Sequence, residues 1–179
     1  MFNKNPRVAE ARPPPIFTKS PSNIEKHESL IWTEKERTLH MLICYNDGST
    51  QEETAAYMAI LIDRMVEYGP WAVNLQLLLR PRLIRPCENP SIYSQQVCEM
   101  RDLVNHINQY FKILTQVVVQ VKVDYPNFHQ MKLAASLFAL ETYWTLAYYV
   151  DGTTYFLRID GQSHLMRRLH GVYERDFKV

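Results

Sequence analysis

The residues best placed to do chemistry are His40 and Cys44, four apart in the stretch RTLHMLICY. Its second half alternates and is rich in β-formers, so a strand is predicted over residues 38–45 and both side chains fall on one face. A thiolate–imidazole dyad needs an orienting carboxylate and an oxyanion donor as well, and the sequence assigns neither; core packing is the simpler expectation for this pair. No G-x-S-x-G elbow, phosphate-cradling loop or G-x-G-x-x-G turn occurs. The six histidines (27, 40, 106, 129, 164 and 170) form no H-x-H or H-x-x-x-H pair. Zinc ligands must converge to about 2 Å from the ion, so neither a metal nor any other cofactor is expected. Glu52 and Glu53 are explained by helix-start electrostatics rather than acid–base work. The rings of Tyr148, Tyr149, Tyr155 and Phe156 could stack on bases, but single-strand binders interleave rings with cations and only Arg158 is near, so cross-strand pairing is the expectation. The chain reads as a non-enzyme without a small-molecule substrate.

A different chemistry is legible in LLLRPRLIRPCENPSIY, residues 77–93. Arg80, Arg82 and Arg85 place three cations within six residues, with Leu83 and Ile84 between them. Pro81, Pro86 and Pro90 exclude a helix interior or a central strand, so a stiff loop with an apolar tip is predicted. Each cation beside an anionic bilayer contributes about 1 kcal/mol, and inserting the apolar pair adds roughly 2–4 kcal/mol. Such a loop suits weak, reversible adsorption to an anionic membrane, firm only in an array, or insertion into a neighbouring subunit. The bland alternative is a surface loop with solvated arginines.

Composition bounds the partners. The 179 residues are 46% hydrophobic, which suits one globular domain, and the net charge of +1 argues against a globally basic nucleic-acid binder. Charge so near zero favours self-association. Three cysteines without a C-x-x-C fit a reducing cytosol better than a disulfide framework. Neither a signal-peptide core nor an eighteen-residue apolar span is expected. Residues 1–30 hold five of the ten prolines and read as a flexible tail ahead of a domain over residues 31–179. Within the tail, Pro13, Pro14 and Pro15 favour the extended polyproline conformation, which loses little entropy on docking, and Ile16 and Phe17 follow as apolar anchors.

The elements that must position these segments follow from periodicity. After the strand at 38–45, Asn46-Asp47-Gly48 signals a turn, and Ser49/Glu52 and Thr50/Glu53 form overlapping capping boxes before an amphipathic helix that Gly69-Pro70 ends. Strands are predicted at 71–79 and 115–123, helices at 94–111 and 128–141, and an aromatic hairpin around Asp151-Gly152. The last residues read as partly helical. The closing hairpin and short links predict an α+β domain with a mainly antiparallel sheet and two or three amphipathic helices.

This order resembles that of the rhabdovirus matrix proteins, at a length suited to the plant-infecting cytoplasmic branch. The similarity covers roughly residues 12–165 and is carried by the proline-bearing tail, TLHMLICY, STQEETAAYMAILIDRMVEY, AVNLQLLL, the exposed loop, VVVQVKVDY, HQMKLAASLFAL and LAYYVDGTTYFLRIDGQSHL. The resemblance implies a structural protein of the virion, beneath the envelope and in the host cytoplasm. It would self-associate, condense the nucleocapsid and join it to the inner membrane face. It further implies that Pro13, Pro14, Pro15 and Ile16 match a tail segment that docks on a neighbouring copy, and that Arg82, Leu83 and Ile84 match an exposed assembly loop. The chain departs from the pattern in having PPPIF where many animal members carry a Pro-Pro-x-Tyr budding signal, and in having a less lysine-rich tail. A cytosolic adaptor that binds a protein partner through its tail and basic loop is the alternative.

Overall fold

The computed structural model describes residues 21–45, 49–81, 90–123, 128–150, 152–157 and 163–178. Six strands form one sheet in chain order: β1 (Leu30–Thr33), β2 (Thr38–Cys44), β3 (Asn74–Arg80), β4 (Gln116–Lys122), β5 (Trp144–Val150) and β6 (Thr153–Leu157). Helix α1 (Gln51–Val66) joins β2 to β3, and α2 (Pro90–Tyr110) joins β3 to β4. A short α3 (Phe128–Met131), continued by a 3-10 helix (Lys132–Ala139), joins β4 to β5, and α4 (His164–Val172) ends in a π turn (Tyr173–Phe177).

The α+β class agrees with the sequence expectation, but the sheet is mixed rather than mainly antiparallel. The pairs β2–β3, β3–β4 and β4–β5 are parallel, and only the two outer pairs, β1–β2 and β5–β6, are antiparallel. The cause is connectivity. Each link among β2, β3, β4 and β5 contains a helix, which returns the chain to the edge where the previous strand began, and this is how parallel neighbours are joined. Because the strands add in one direction and such crossovers keep one hand, the helices fall on one side of the sheet.

Alternation along the strands agrees. Leu39, Met41 and Ile43 of β2, Leu75, Leu77 and Leu79 of β3, and Val117, Val119 and Val121 of β4 are buried. They meet Met58, Leu61 and Met65 of α1 and Met100, Leu103 and Ile107 of α2 in a single core. The run Leu133–Leu137 is buried on every side, as a helix enclosed between sheet and α4 must be.

Local signals explain the element ends. Of the two overlapping capping boxes, the one at Thr50 is formed: its hydroxyl accepts from Glu53 N at 3.1 Å, and the Glu53 carboxylate accepts from Thr50 N at 2.8 Å. Residues 21–30, read from sequence as the end of the tail, join the core, since Pro21, Ile24, Ser29 and Leu30 are buried and β1 begins at Leu30. Gly69 is required where α1 ends against α2, because a Cβ there would lie 2.7 Å from Tyr110 O and 3.0 Å from its carbonyl carbon. Both are backbone atoms, so Gly69→Ala is expected to cost about 1–3 kcal/mol in chemical denaturation, as overpacking does.

Candidate interaction surface

With the helices on one side, the opposite face of the sheet is uncovered among the described residues. Register lays its side chains in rows across the strands. One runs Ile31, His40, Gln76, Val118, Thr145; the next runs Leu42, Leu78, Gln120, Ala147, Phe156. Ile31 and Phe156 are the most exposed apolar members, at 64% and 76%. Leu42, Leu78 and Val118 between them are half-buried and Ala147 is buried, whereas Gln76 and Gln120 are exposed. A groove of about 360 Å³ crosses this face, lined by Glu28, Ser29, Ile31, His40, Leu42, Leu78 and Val118 among others. β1 stops short of the end of β2, and there a second hollow of about 410 Å³ opens beside Leu42, Cys44, Glu53 and Tyr57. Tyr57 closes its base: the hydroxyl donates to Leu42 O at 3.0 Å and lies 2.8 Å from Ser29 Oγ. Burial raises the Tyr57 pKa.

The structure corrects the expectation of core packing for His40 and Cys44. Both point to the uncovered face and are half-buried. Four strand residues separate them by about 13 Å, too far for a dyad. His40 Nε2 instead lies 3.2 Å from Thr33 Oγ1. No cluster able to hold a metal ion occurs among the described residues.

A third row on the same face, at the carboxyl ends of the parallel strands, runs Cys44, Arg80, Lys122, Tyr149, Thr154, with Arg80 and Lys122 in register because Leu79 pairs with Val121. Both cations are exposed. Arg80 is the one member of the basic loop within the described residues; Arg82, Leu83, Ile84 and Arg85 lie outside them, as do Pro13, Pro14, Pro15, Ile16 and Phe17 of the tail. Connectivity still fixes where the loop departs: it leaves β3 beside Lys122, at the edge where open parallel sheets carry their ligand-binding segments. No described helix is long and apolar enough to cross a membrane.

Behind this edge lies a half-buried polar cluster between α1 and α2. Gln95 Nε2 donates to Gln51 O at 2.9 Å and to Glu99 Oε1 at 2.7 Å. Burial raises the pKa of Tyr45, and the adjacent Glu99 carboxylate adds to the effect. Burial also raises the Glu99 pKa, against the pull of its bond to Gln95. Tyr45 Oη and Glu99 Oε2 are buried without a hydrogen-bond partner among the described residues. The adjoining hollow, about 20 Å³, holds no more than a water molecule, so the cluster is structural.

Sequence reasoning missed the uncovered face itself. Its signal was the exposed glutamine in each of two apolar strands, NLQLLLR and QVVVQVK. Uninterrupted Leu77–Leu79 masked the alternation in β3, because a half-buried leucine spells the same on either face, and the β4 alternation alone does not say what covers its second face. No protein-family model matches this chain, and comparison with curated proteins and with solved structures returns no match.

Proposed function

We propose that this chain is a structural assembly protein: it self-associates and docks peripherally on anionic surfaces through the basic end of its sheet. The observation that carries the reading is the placement of Arg80 beside Lys122 on the exposed face, at the point where the Arg82-Leu83-Ile84-Arg85 segment leaves β3. Cations from two strands, Arg80 and Lys122, meet at one edge of a chain whose net charge is +1. Local concentration of charge, rather than overall charge, then drives the contact. The finer reading is a viral matrix protein that links nucleocapsid to the inner face of the envelope. It is supported by the element order and proline-bearing tail shared with rhabdovirus matrix proteins. Such a protein acts in the virion and at the cytoplasmic membrane periphery.

The test is sedimentation with liposomes. Full-length protein is expected to pellet with vesicles containing phosphatidylserine, less with neutral ones, and progressively less as salt rises. Leu83→Asp with Ile84→Asp is expected to cut the bound fraction at least about tenfold, because it removes roughly 2–4 kcal/mol of apolar insertion and adds like-charge repulsion. Equal pelleting of the double variant, or no pelleting of the wild type, contradicts the membrane role. A monomer that ignores vesicles but retains a protein in pull-downs identifies the adaptor instead.

A further inference from the structure

We infer that the uncovered face of the sheet is a dimer interface, covered by the same face of a second copy. Parallel strands are ordinarily covered on both sides, and here the described residues cover three consecutive parallel pairs on one. The two middle rows of the face contain no Asp, Glu, Lys or Arg; their polar members are His40, Gln76, Gln120 and Thr145. An uncharged centre with a polar rim, charged at the Arg80–Lys122 end, is the composition of a contact that excludes water. Each glutamine amide both donates and accepts, so it can pair across a two-fold axis without a dedicated partner.

Size selects the occupant. At about 4.8 Å between strands and 3.3 Å per residue, the face has a plan area of roughly 600 Å², the order of the 800 Å² per partner in stable interfaces once side-chain relief is added. Ile31 on β1 and Phe156 on β6 stand at opposite edges, five strand spacings or about 24 Å apart. A second copy of the same sheet spans both edges at once. A two-fold axis running along the strands between β3 and β4 lays β1 of one copy over β6 of the other, so Ile31 and the Phe156 edge cover each other twice. Sheets stacked this way stand about 10 Å apart with their strands about 30° from parallel. The same axis keeps both strand sets pointing one way, so the Arg80–Lys122 edges of the two copies face one surface. That last consequence rests on the assembly reading above; the sheet-face contact does not.

Sedimentation equilibrium of the full chain tests the interface with three variants. Gln76→Glu with Gln120→Glu sets like charges against one another across the two-fold, and both positions are exposed, so folding, checked by circular dichroism, is retained. Phe156→Glu, at a 76% exposed position, is the second variant. Ile16→Asp with Phe17→Asp alters the tail alone. The wild type is expected to dimerise, the glutamine double variant to do so at least about 100-fold more weakly, Phe156→Glu to be weakened in the same direction, and the tail variant to match wild type. A wild type that stays monomeric at several hundred micromolar overturns the inference. So does a glutamine double variant that dimerises like wild type, or a tail variant that loses the dimer, which assigns the face to the tail. Dimerisation without liposome binding removes the membrane role and leaves the interface standing.

Discussion

Leu77→Glu is expected to abolish cooperative unfolding at neutral pH, while Gln76→Glu, one residue away, leaves the denaturation midpoint of the monomer nearly unchanged. Leu77 is 2% exposed and points at the helices, whereas Gln76 is exposed on the uncovered face. The first substitution forfeits about 2–4 kcal/mol of side-chain burial and places a carboxylate in a core with no cation to meet it, a penalty of several kcal/mol more. Together these approach the roughly 5–15 kcal/mol by which a domain of this kind is stable. The second places a charge in water, where effects stay within about 0.5 kcal/mol. Urea denaturation at protein concentrations too low for dimers reads both. Comparable destabilisation by the two contradicts a sheet covered on one side.

The second large effect is expected at the C-terminus. Buried positions of the last helix fall at Met166, Leu169 and Val172, then skip to Phe177. Steps of three suit an α-helix, but a step of five carries the side chain away from the buried stripe. The π turn resolves this: Lys178 N donates to Tyr173 O at 2.9 Å, an i to i+5 bond that widens the turn and brings Phe177 back to the core. Two bonds to α2 fasten it there, Tyr93 Oη to Asp176 Oδ2 at 2.9 Å and Arg101 Nη2 to Asp176 O at 3.0 Å. The Arg175 guanidinium holds the Asp176 pKa below its ordinary value, and the Tyr93 bond acts in the same direction. Burial and the bond to Asp176 raise the Tyr93 pKa well above the usual phenol. Phe177→Ala is expected to cost about 3–5 kcal/mol and to release protection of residues 164–178 in hydrogen exchange. A loss below about 1 kcal/mol contradicts the packing role given to the π turn.

Local chemistry was legible in the sequence wherever one segment determined it. The Thr50 cap, the Gly69 stop, the β4 alternation and the hairpin turn at Gly152, whose φ of +82° needs glycine, all depend on a few adjacent residues. Strand direction did not announce itself in those terms. It follows from helical links between β2 and β5, and weighting the closing hairpin more heavily gave an antiparallel expectation. β1 escaped notice because LIWT is four residues long and its partner, LHML, supplies the pairing that defines it. The step to a π turn is visible only once Phe177 is known to be buried.

The candidate surface was legible in part. The basic loop and tail were read from composition, and Arg80, which the sequence assigns to the loop, is the last residue of β3. The neighbouring Lys122 is 42 residues away in the chain and joins Arg80 only through the β3–β4 register. The uncovered face is likewise a property of topology: no single strand reveals that the described helices lie on one side.

A chain that works by bringing surfaces together, first its own and then an anionic one, must associate with itself in solution. Sedimentation equilibrium of the full-length wild type, from micromolar to several hundred micromolar at low and high salt, measures this. The average mass is expected to climb from 21.1 kDa to at least twice that value as concentration rises. A mass that stays at 21.1 kDa under every condition contradicts it.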